Sequence, residues 1–507
     1  MSKKLPDGWL SIKLDQLFEP RSTRVSPRDM PDAPYIGLEH VEAQTSRLLT
    51  TVPAATMSSS AARFFAGDVL YGRMRPYLNK VVQPQFDGLA SAEFIVFPTL
   101  MGINNKFIHR RLSAGDFVDF ACSQYEGDRP RVKFDQLGKF ELALPPAAEQ
   151  TRIVEKLEEL LFDLDAGVAE LKAAQKKLGQ YRQSLLKAAV EGALTADWRE
   201  AQRKHTTLRE TGAQLLQRIL TERRARWEAK QLAKFAEQGK IPPKDWQKKY
   251  PEPARLDTSG LPELPEGWVW ASLEQLLSQL RSGTAETSGR DATFYPVLKS
   301  SAVRQGAIDF SAVNFLQESQ CHTDNFLEVG DLLITRLSGS VEYVGCAAVV
   351  AEHAATSIQY PDRIFCGKLA FQSTALSAHI VTCLSGPVAR QRIEAAAKST
   401  AGHKRIALSD LLPFPIPLPA TAEISEIKKL VETGLQQLKS LHKNVDFSCK
   451  QSAAQRKNIL KAAFSGQLVP QDPNDEPASV LLERIRAERA AQVAVKKPYR
   501  SKRKEIS

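Results

Sequence analysis

Leucine recurs at every seventh position from Leu157 through Leu164, Leu171 and Leu178 to Leu185. Ile153, Leu160, Gly167, Ala174, Tyr181 and Ala188 follow on the adjoining line, and no proline interrupts the run from Glu149 to Gly192. A seven-residue apolar period predicts a helix with a coiled-coil seam. About 40 residues at 1.5 Å each make a rod of roughly 60 Å, too long to be stable with its stripe uncovered. A second stripe through Val431, Leu438, Val445 and Ile459 supplies a partner. Leu160 and Gly167 face the exchange Gly434 and Leu441 there, so large and small residues swap places, as a filled interface requires. The stripe reads equally well as a spacer or as a hairpin that only stabilises a domain. Residues 1–146 and 261–417 instead carry short apolar runs, such as 94–97 and 347–350, broken by Gly, Pro and Ser. That pattern predicts a mixed α/β fold rich in short strands.

The chain is written twice. Leu5-Pro6-Asp7-Gly8-Trp9 returns 259 positions later as Leu264-Pro265-Glu266-Gly267-Trp268. Gly67-Asp68-Val69-Leu70 with Arg73 returns as Gly330-Asp331-Leu332-Leu333 with Arg336. At a constant offset of 274, Arg131, Leu144, Pro145, Glu149, Ile153 and Gly192 fall on Arg405, Leu418, Pro419, Glu423, Ile427 and Gly466. Leu215-Leu216 and Glu222-Arg223 recur as Leu481-Leu482 and Glu488-Arg489. Each copy of about 250 residues has an opening turn, a variable body, a proline-marked exit and a long helix. The boundaries fall at 1–146 and 261–417 for the variable bodies, 147–198 and 418–468 for the helices, 199–260 for a charged helical arm and linker, and 469–507 for a terminal helix with a basic tail.

The 507 residues carry a net charge of +11, but residues 199–257 account for +7 and 496–507 for +5. The remainder is close to neutral, so any nucleic-acid contact in the variable bodies rests on local clusters. No apolar run is long enough to span a membrane and no secretory leader is evident, which makes the cytoplasm the expected compartment. The six cysteines form no CxxC pair and the eight histidines no ligand spacing, so neither a disulfide framework nor a metal site is expected.

Catalytic signatures are missing. There is no phosphate loop, no strand-borne GxGxxG, and no Asn or Asp before Pro-Pro-Tyr or Pro-Pro-Phe, as adenine methylation would require. Pro361-Asp362 lacks the following acidic-x-Lys of a nuclease and reads as a turn. Binding candidates are better. Arg73, Arg75 and Lys80 interleave with Tyr71 and Tyr77, and Arg129, Arg131 and Lys133 lie downstream. Arg336, Ser338, Arg363, His403, Lys404 and Arg405 occupy comparable places in the second copy. Arginine can pair bidentately with guanine in the major groove, and Lys or Ser can position phosphates. Trp9 and Trp268, each ending a turn, are expected as core anchors.

The two LPxGW turns, the two GD[VL]L segments with a following Arg, the exits LALPPAAEQ and IPLPATAEI, and the helix ends LLKAAVEGALT and ILKAAFSGQLV resemble the specificity subunit of Type I restriction-modification enzymes. GDLLITRLSGSVEYVG, YPDRI and SVLLERIRAERA are most similar to the Type IA class. The resemblance implies two globular target recognition domains, each reading half of a bipartite, asymmetric site in double-stranded DNA. It implies two conserved helices packed as an antiparallel coiled coil between them, with an internal pseudo-twofold repeat. Two modification subunits would dock and methylate adenine, and restriction subunits would join through the complex. S-adenosylmethionine, ATP and Mg would belong to those partners and no cofactor to this chain, which on its own would be no enzyme. Ile424, where the first copy has Gln150, departs from the family pattern. The alternative is an orphan helix-spaced DNA-binding protein without methylation partners; a self-contained methyltransferase or nuclease conflicts with the missing motifs.

Overall fold

The computed structural model describes residues 5–125, 130–204, 210–285, 289, 295–351, 357–400 and 402–496. The chain forms two compact units, Met1–Ala173 with Val445–Ser507, and Ala174–Asn444. Both are mixed helix and strand. Helices Ala147–Val190 and Thr421–Phe464 run for 44 residues each, and each gives one part to either unit.

Every unit is closed at its base by the same two-stranded pairing. Leu10–Lys13 runs antiparallel to Glu141–Leu144 with Leu10 opposite Leu144, and Val269–Ser272 to Pro415–Leu418 with Val269 opposite Leu418. The opening turn is thereby tied to the exit. A four-residue helix follows in both, Leu14–Leu17 and Leu273–Leu276, whose first and last leucines are buried. Its start is held by Leu14 N–H to Phe140 C=O at 3.0 Å and by Leu273 N–H to Phe414 C=O at 2.9 Å.

The bodies differ. The first holds a five-stranded sheet and a three-stranded one in which Val69–Gly72 lies between Val81–Val82 and Phe94–Phe97. The second holds a four-stranded sheet in which Leu332–Thr335 lies between Ala347–Val349 and Ile364–Leu369. Val69–Gly72 and Leu332–Thr335 are buried at every position, the polar Thr335 included. The preceding Gly67 and Gly330 have φ of 85° and 91°, a conformation that glycine alone adopts without strain. The next residues, Asp68 and Asp331, are buried and accept the backbone N–H of Phe65 and of Glu328, both at 2.9 Å.

The segment after each long helix packs onto the unit of the other copy. Leu215 and Ile219 of helix Gly212–Glu237 enter the core of the second unit, as Leu481, Leu482 and Ile485 of Ala478–Lys496 enter that of the first. Burying such a side chain stabilises by roughly 2 kcal/mol. The docking also repeats a hydrogen bond: Gly212 N–H to Gly267 C=O at 2.7 Å, and Ala478 N–H to Gly8 C=O at 2.9 Å.

The helix stripes are buried unevenly. Leu157, Leu185, Val431 and Leu438 are buried, whereas Leu164, Leu171, Leu178, Val445 and Ile459 are half-buried. On the adjoining line Ile153 is buried but Gly167 and Tyr181 are exposed. In the first unit Leu157 of the leading half packs in one core with Ile459 and Ala463 of the trailing half, and in the second Leu186 and Ala189 pack with Ile427 and Val431. The expected size exchange is met at Gly434, where an added Cβ would lie 2.6 Å from Leu185 Cδ2. At Gly167 and Leu441 it is not met, since the glycine is open and the leucine 50% exposed.

Candidate nucleic-acid interface

Trp9 and Trp268 are core anchors. Each indole N–H donates to a buried carboxylate at 2.9 Å, Trp9 to Glu149 and Trp268 to Glu423. Gln471 also donates to Glu149 at 3.3 Å, and Thr195 and Arg199 to Glu423 at 2.6 and 2.5 Å. Burial pushes the Glu149 carboxyl above its ordinary range. The departure at Ile424 is equally internal. Gln150 accepts Asn104 N–H and donates to Pro145 C=O, while Ile424 joins the apolar core of the second unit.

The repeated arginines sit on a repeated backbone frame. In the first unit Arg73 N–H donates to Glu93 C=O at 2.9 Å and Arg73 C=O accepts Val132 N–H at 3.0 Å. In the second, Arg336 N–H donates to Arg363 C=O at 2.8 Å and Arg336 C=O accepts Ile406 N–H at 3.0 Å. The frame sets Arg73 beside Arg131, through the bridge of Met74 to Arg131, and Arg336 beside Arg405, which pairs with Leu337.

Around the first pair, Arg75 is exposed in the left-handed region at φ 51°, its N–H bound to Pro130 C=O at 2.8 Å. A non-glycine residue held there stores strain, which the surrounding structure must over-determine. Lys133 is exposed, and its backbone N–H donates to Gln136 Oε1. Lys80 is turned to internal use, its ammonium donating to Leu38 C=O at 2.6 Å. Arg129 lies outside the described residues. Around the second pair, Arg363 and His403 are exposed, Lys404 is half-buried, and Ser338 Oγ accepts Ser340 N–H at 3.4 Å. Of the aromatics near these cations, Tyr71 and Tyr360 are core residues, whereas Tyr77 is exposed close to Arg75.

Two participants were not read from the sequence. Glu93 accepts from Arg73 Nε at 3.5 Å and from Arg131 Nη2 at 2.5 Å, although it is 20 and 38 residues away from them. Lys398 is exposed and stands opposite Arg405 in the hairpin that pairs Lys398–Thr400 with His403–Arg405. Gly402, at φ 80°, is the turn signal that could have revealed it.

The basic arm is less available than its charge suggests. Arg199, Arg203, Arg218, Arg224 and Arg226 each pair with a carboxylate, and Arg223 donates to Leu277 C=O and Tyr250 Oη. All six cysteines are free thiols, and no group of three or more His, Cys, Asp or Glu that could hold a metal occurs among the described residues. No helix among them is long and apolar enough to cross a membrane.

No family model matches the chain. It is 27% identical over 359 residues to the Type I restriction enzyme EcoKI specificity subunit of Escherichia coli strain K12, a match covering 69% of this chain and 64% of that one. To the EcoDI specificity subunit of Escherichia coli it is 29% identical over 224 residues, covering 44% and 50%. These matches thus span less than two thirds of either relative. Among solved structures, a chain from a study of complex assembly and conformational transition in the type I R-M system superposes with a TM-score of 0.64 at 18% identity, covering 92% of this chain and 99% of that one. That likeness is one of fold.

Proposed function

We propose that this chain, a homologue of Type I restriction enzyme specificity subunits, is the DNA-recognition subunit of such a complex. Each unit reads one half of a bipartite site in double-stranded DNA, Arg73, Arg75, Arg131 and Lys133 in the first, and Arg336, Ser338, Arg363, His403, Lys404 and Arg405 in the second. The observation that carries the reading is the doubled frame that sets Arg73 by Arg131 and Arg336 by Arg405. Two equivalent surfaces suit two half-sites, and their different flanking residues suit an asymmetric one. Guanidinium groups would pair with guanine O6 and N7, and the lysines and serine would hold phosphates.

The two long helices act in this proposal as an antiparallel coiled-coil spacer between recognition domains 1–146 and 261–417, and they dock two modification subunits. S-adenosylmethionine, ATP and Mg belong to the modification and restriction partners. The chain itself is non-catalytic, in keeping with its lack of motifs for methyl transfer, ATP binding or strand cleavage.

The test is a genome-wide map of methyladenine in cells with and without the gene, paired with methylation assays on the purified chain. A bipartite methylated motif that disappears with the gene, and no methylation by the chain alone, are the expected results. Methylation by the isolated chain would overturn the proposal.

A further inference from the structure

The two arginine surfaces share one backbone frame but carry opposite charges at one position. The C=O that accepts Arg73 N–H belongs to Glu93, and the C=O that accepts Arg336 N–H belongs to Arg363. Glu93 is mostly covered, with its side chain 20% exposed, and it binds both arginines of its unit. In the second unit Arg336 donates to Asp362 C=O at 3.2 Å and lies 5.6 Å over the Phe365 ring. No carboxylate pairs with Arg336, Arg363 or Arg405 among the described residues.

This difference decides what each surface can hold. A phosphate approaching Arg73 and Arg131 must displace Glu93 or stand beside its negative charge. A neutral base edge meets much less repulsion, and it finds two guanidinium groups already fixed in place. At the second surface the exposed Arg363 and Arg405 carry no such carboxylate, and Lys398 stands opposite Arg405 on the same face of the hairpin, so a phosphate meets unneutralised positive charge. Counterion release then makes binding there strongly salt-dependent.

We propose that Glu93 is a positioning residue that makes the first surface selective for base edges over phosphates, and that Arg363, at the same place in the frame, makes the second surface the half that grips the DNA backbone. The inference rests on the DNA-recognition reading above. It extends that reading by dividing selectivity and affinity unequally between the two units.

The experiment measures the affinity of the full chain for a duplex selected by the wild type from a random pool, and for a scrambled duplex, between 50 and 200 mM salt. Glu93→Gln keeps the shape and an acceptor but removes the charge. It is expected to steepen the dependence of log K on log salt by about 0.9, an added loss of about 3.5-fold over that range, and to lower the ratio of selected to scrambled binding. Glu93→Asp, which keeps the charge, should restore the wild-type slope. Arg363→Gln, at an exposed position where folding is not at stake, should make the slope shallower by about 0.9. Unchanged slopes in Glu93→Gln and Arg363→Gln, or slopes that follow thermal stability rather than charge, overturn the inference alone. Failure of the wild type to select any duplex overturns the DNA-recognition reading and the inference with it.

Discussion

Each opening tryptophan is locked by a glutamate that starts a long helix, but the two locks differ in strength. Glu149 serves Trp9 and Gln471, both neutral, whereas Glu423 serves Trp268, Thr195 and the guanidinium of Arg199. Glu423→Ala leaves a nearly buried cation and two further donors without an acceptor, and is expected to destabilise the protein by about 3 kcal/mol. Glu149→Ala should cost about 1 to 2 kcal/mol; urea unfolding of both variants checks the order. His109 gives a second expectation. Burial, aided by nearby Arg110, holds its imidazole down at about 4, against an ordinary value of 6.5. The unfolded chain takes up this proton first as pH falls, so stability is complete above about pH 6.5 and is lost toward pH 4, by roughly 3 kcal/mol for this group. His109→Gln, able to keep a donor near Val81 C=O, should flatten that part of the pH profile; an equally steep profile would remove His109 as the cause. Arg73→Ala and Arg131→Ala should each weaken binding to the selected duplex by about 1 to 3 kcal/mol if they make bidentate base contacts, and titration of that duplex with each variant measures the loss. The tryptophans were legible in the sequence because they recur after a turn. Their partners were not, since Trp9 and Trp268 repeat at one offset and Glu149 and Glu423 at another, and only folding brings the two series together.

The long helices were the most legible elements, because a period of seven without proline has few other outcomes. Their burial was less legible: a stripe reports which face is apolar, but not how evenly its partner covers it. Tyr181 and Phe447 remain well exposed on helices whose ends are buried. The strands escaped a sequence reading for another reason. Many have only two to four residues, and their pairing joins positions far apart, as with Leu10 and Leu144. No local pattern encodes such a register. The turns that end the helices are sharply specified by glycine. Gly192 and Gly466 have φ of 76° and 70°, and a Cβ would lie 2.6 Å from Pro265 and 2.3 Å from Pro6, respectively. Gly192→Ala and Gly466→Ala are each expected to cost more than about 1 kcal/mol, since neither the backbone conformation nor the adjoining turn leaves room for a methyl group. Thermal unfolding of the two single variants measures this, and a neutral result would mean that the opening turn yields easily.

The repeat makes each unit a composite of both copies, with the terminal segment of one copy docked on the body of the other. Exchange of residues 1–146 for another recognition domain should then change one half of the methylated motif only, provided that Leu481, Leu482 and Ile485 still find their core. The long helices are the remaining link, and their length makes the proposed spacer role measurable. One heptad inserted after Leu171 keeps the apolar stripe on the same face and adds roughly 10 Å of helix. A matching heptad after Val445 keeps the two helices in register. If the helices set the spacing, the gap between half-sites should lengthen by up to about three base pairs at 3.4 Å each, while the half-site sequences stay the same. A hairpin that merely stabilises a domain predicts the opposite, because adding about two turns of helix outside the recognition surfaces would leave the motif untouched. The methyladenine map of the double-insertion variant separates the two, and an active complex with an unchanged gap would remove the spacer role.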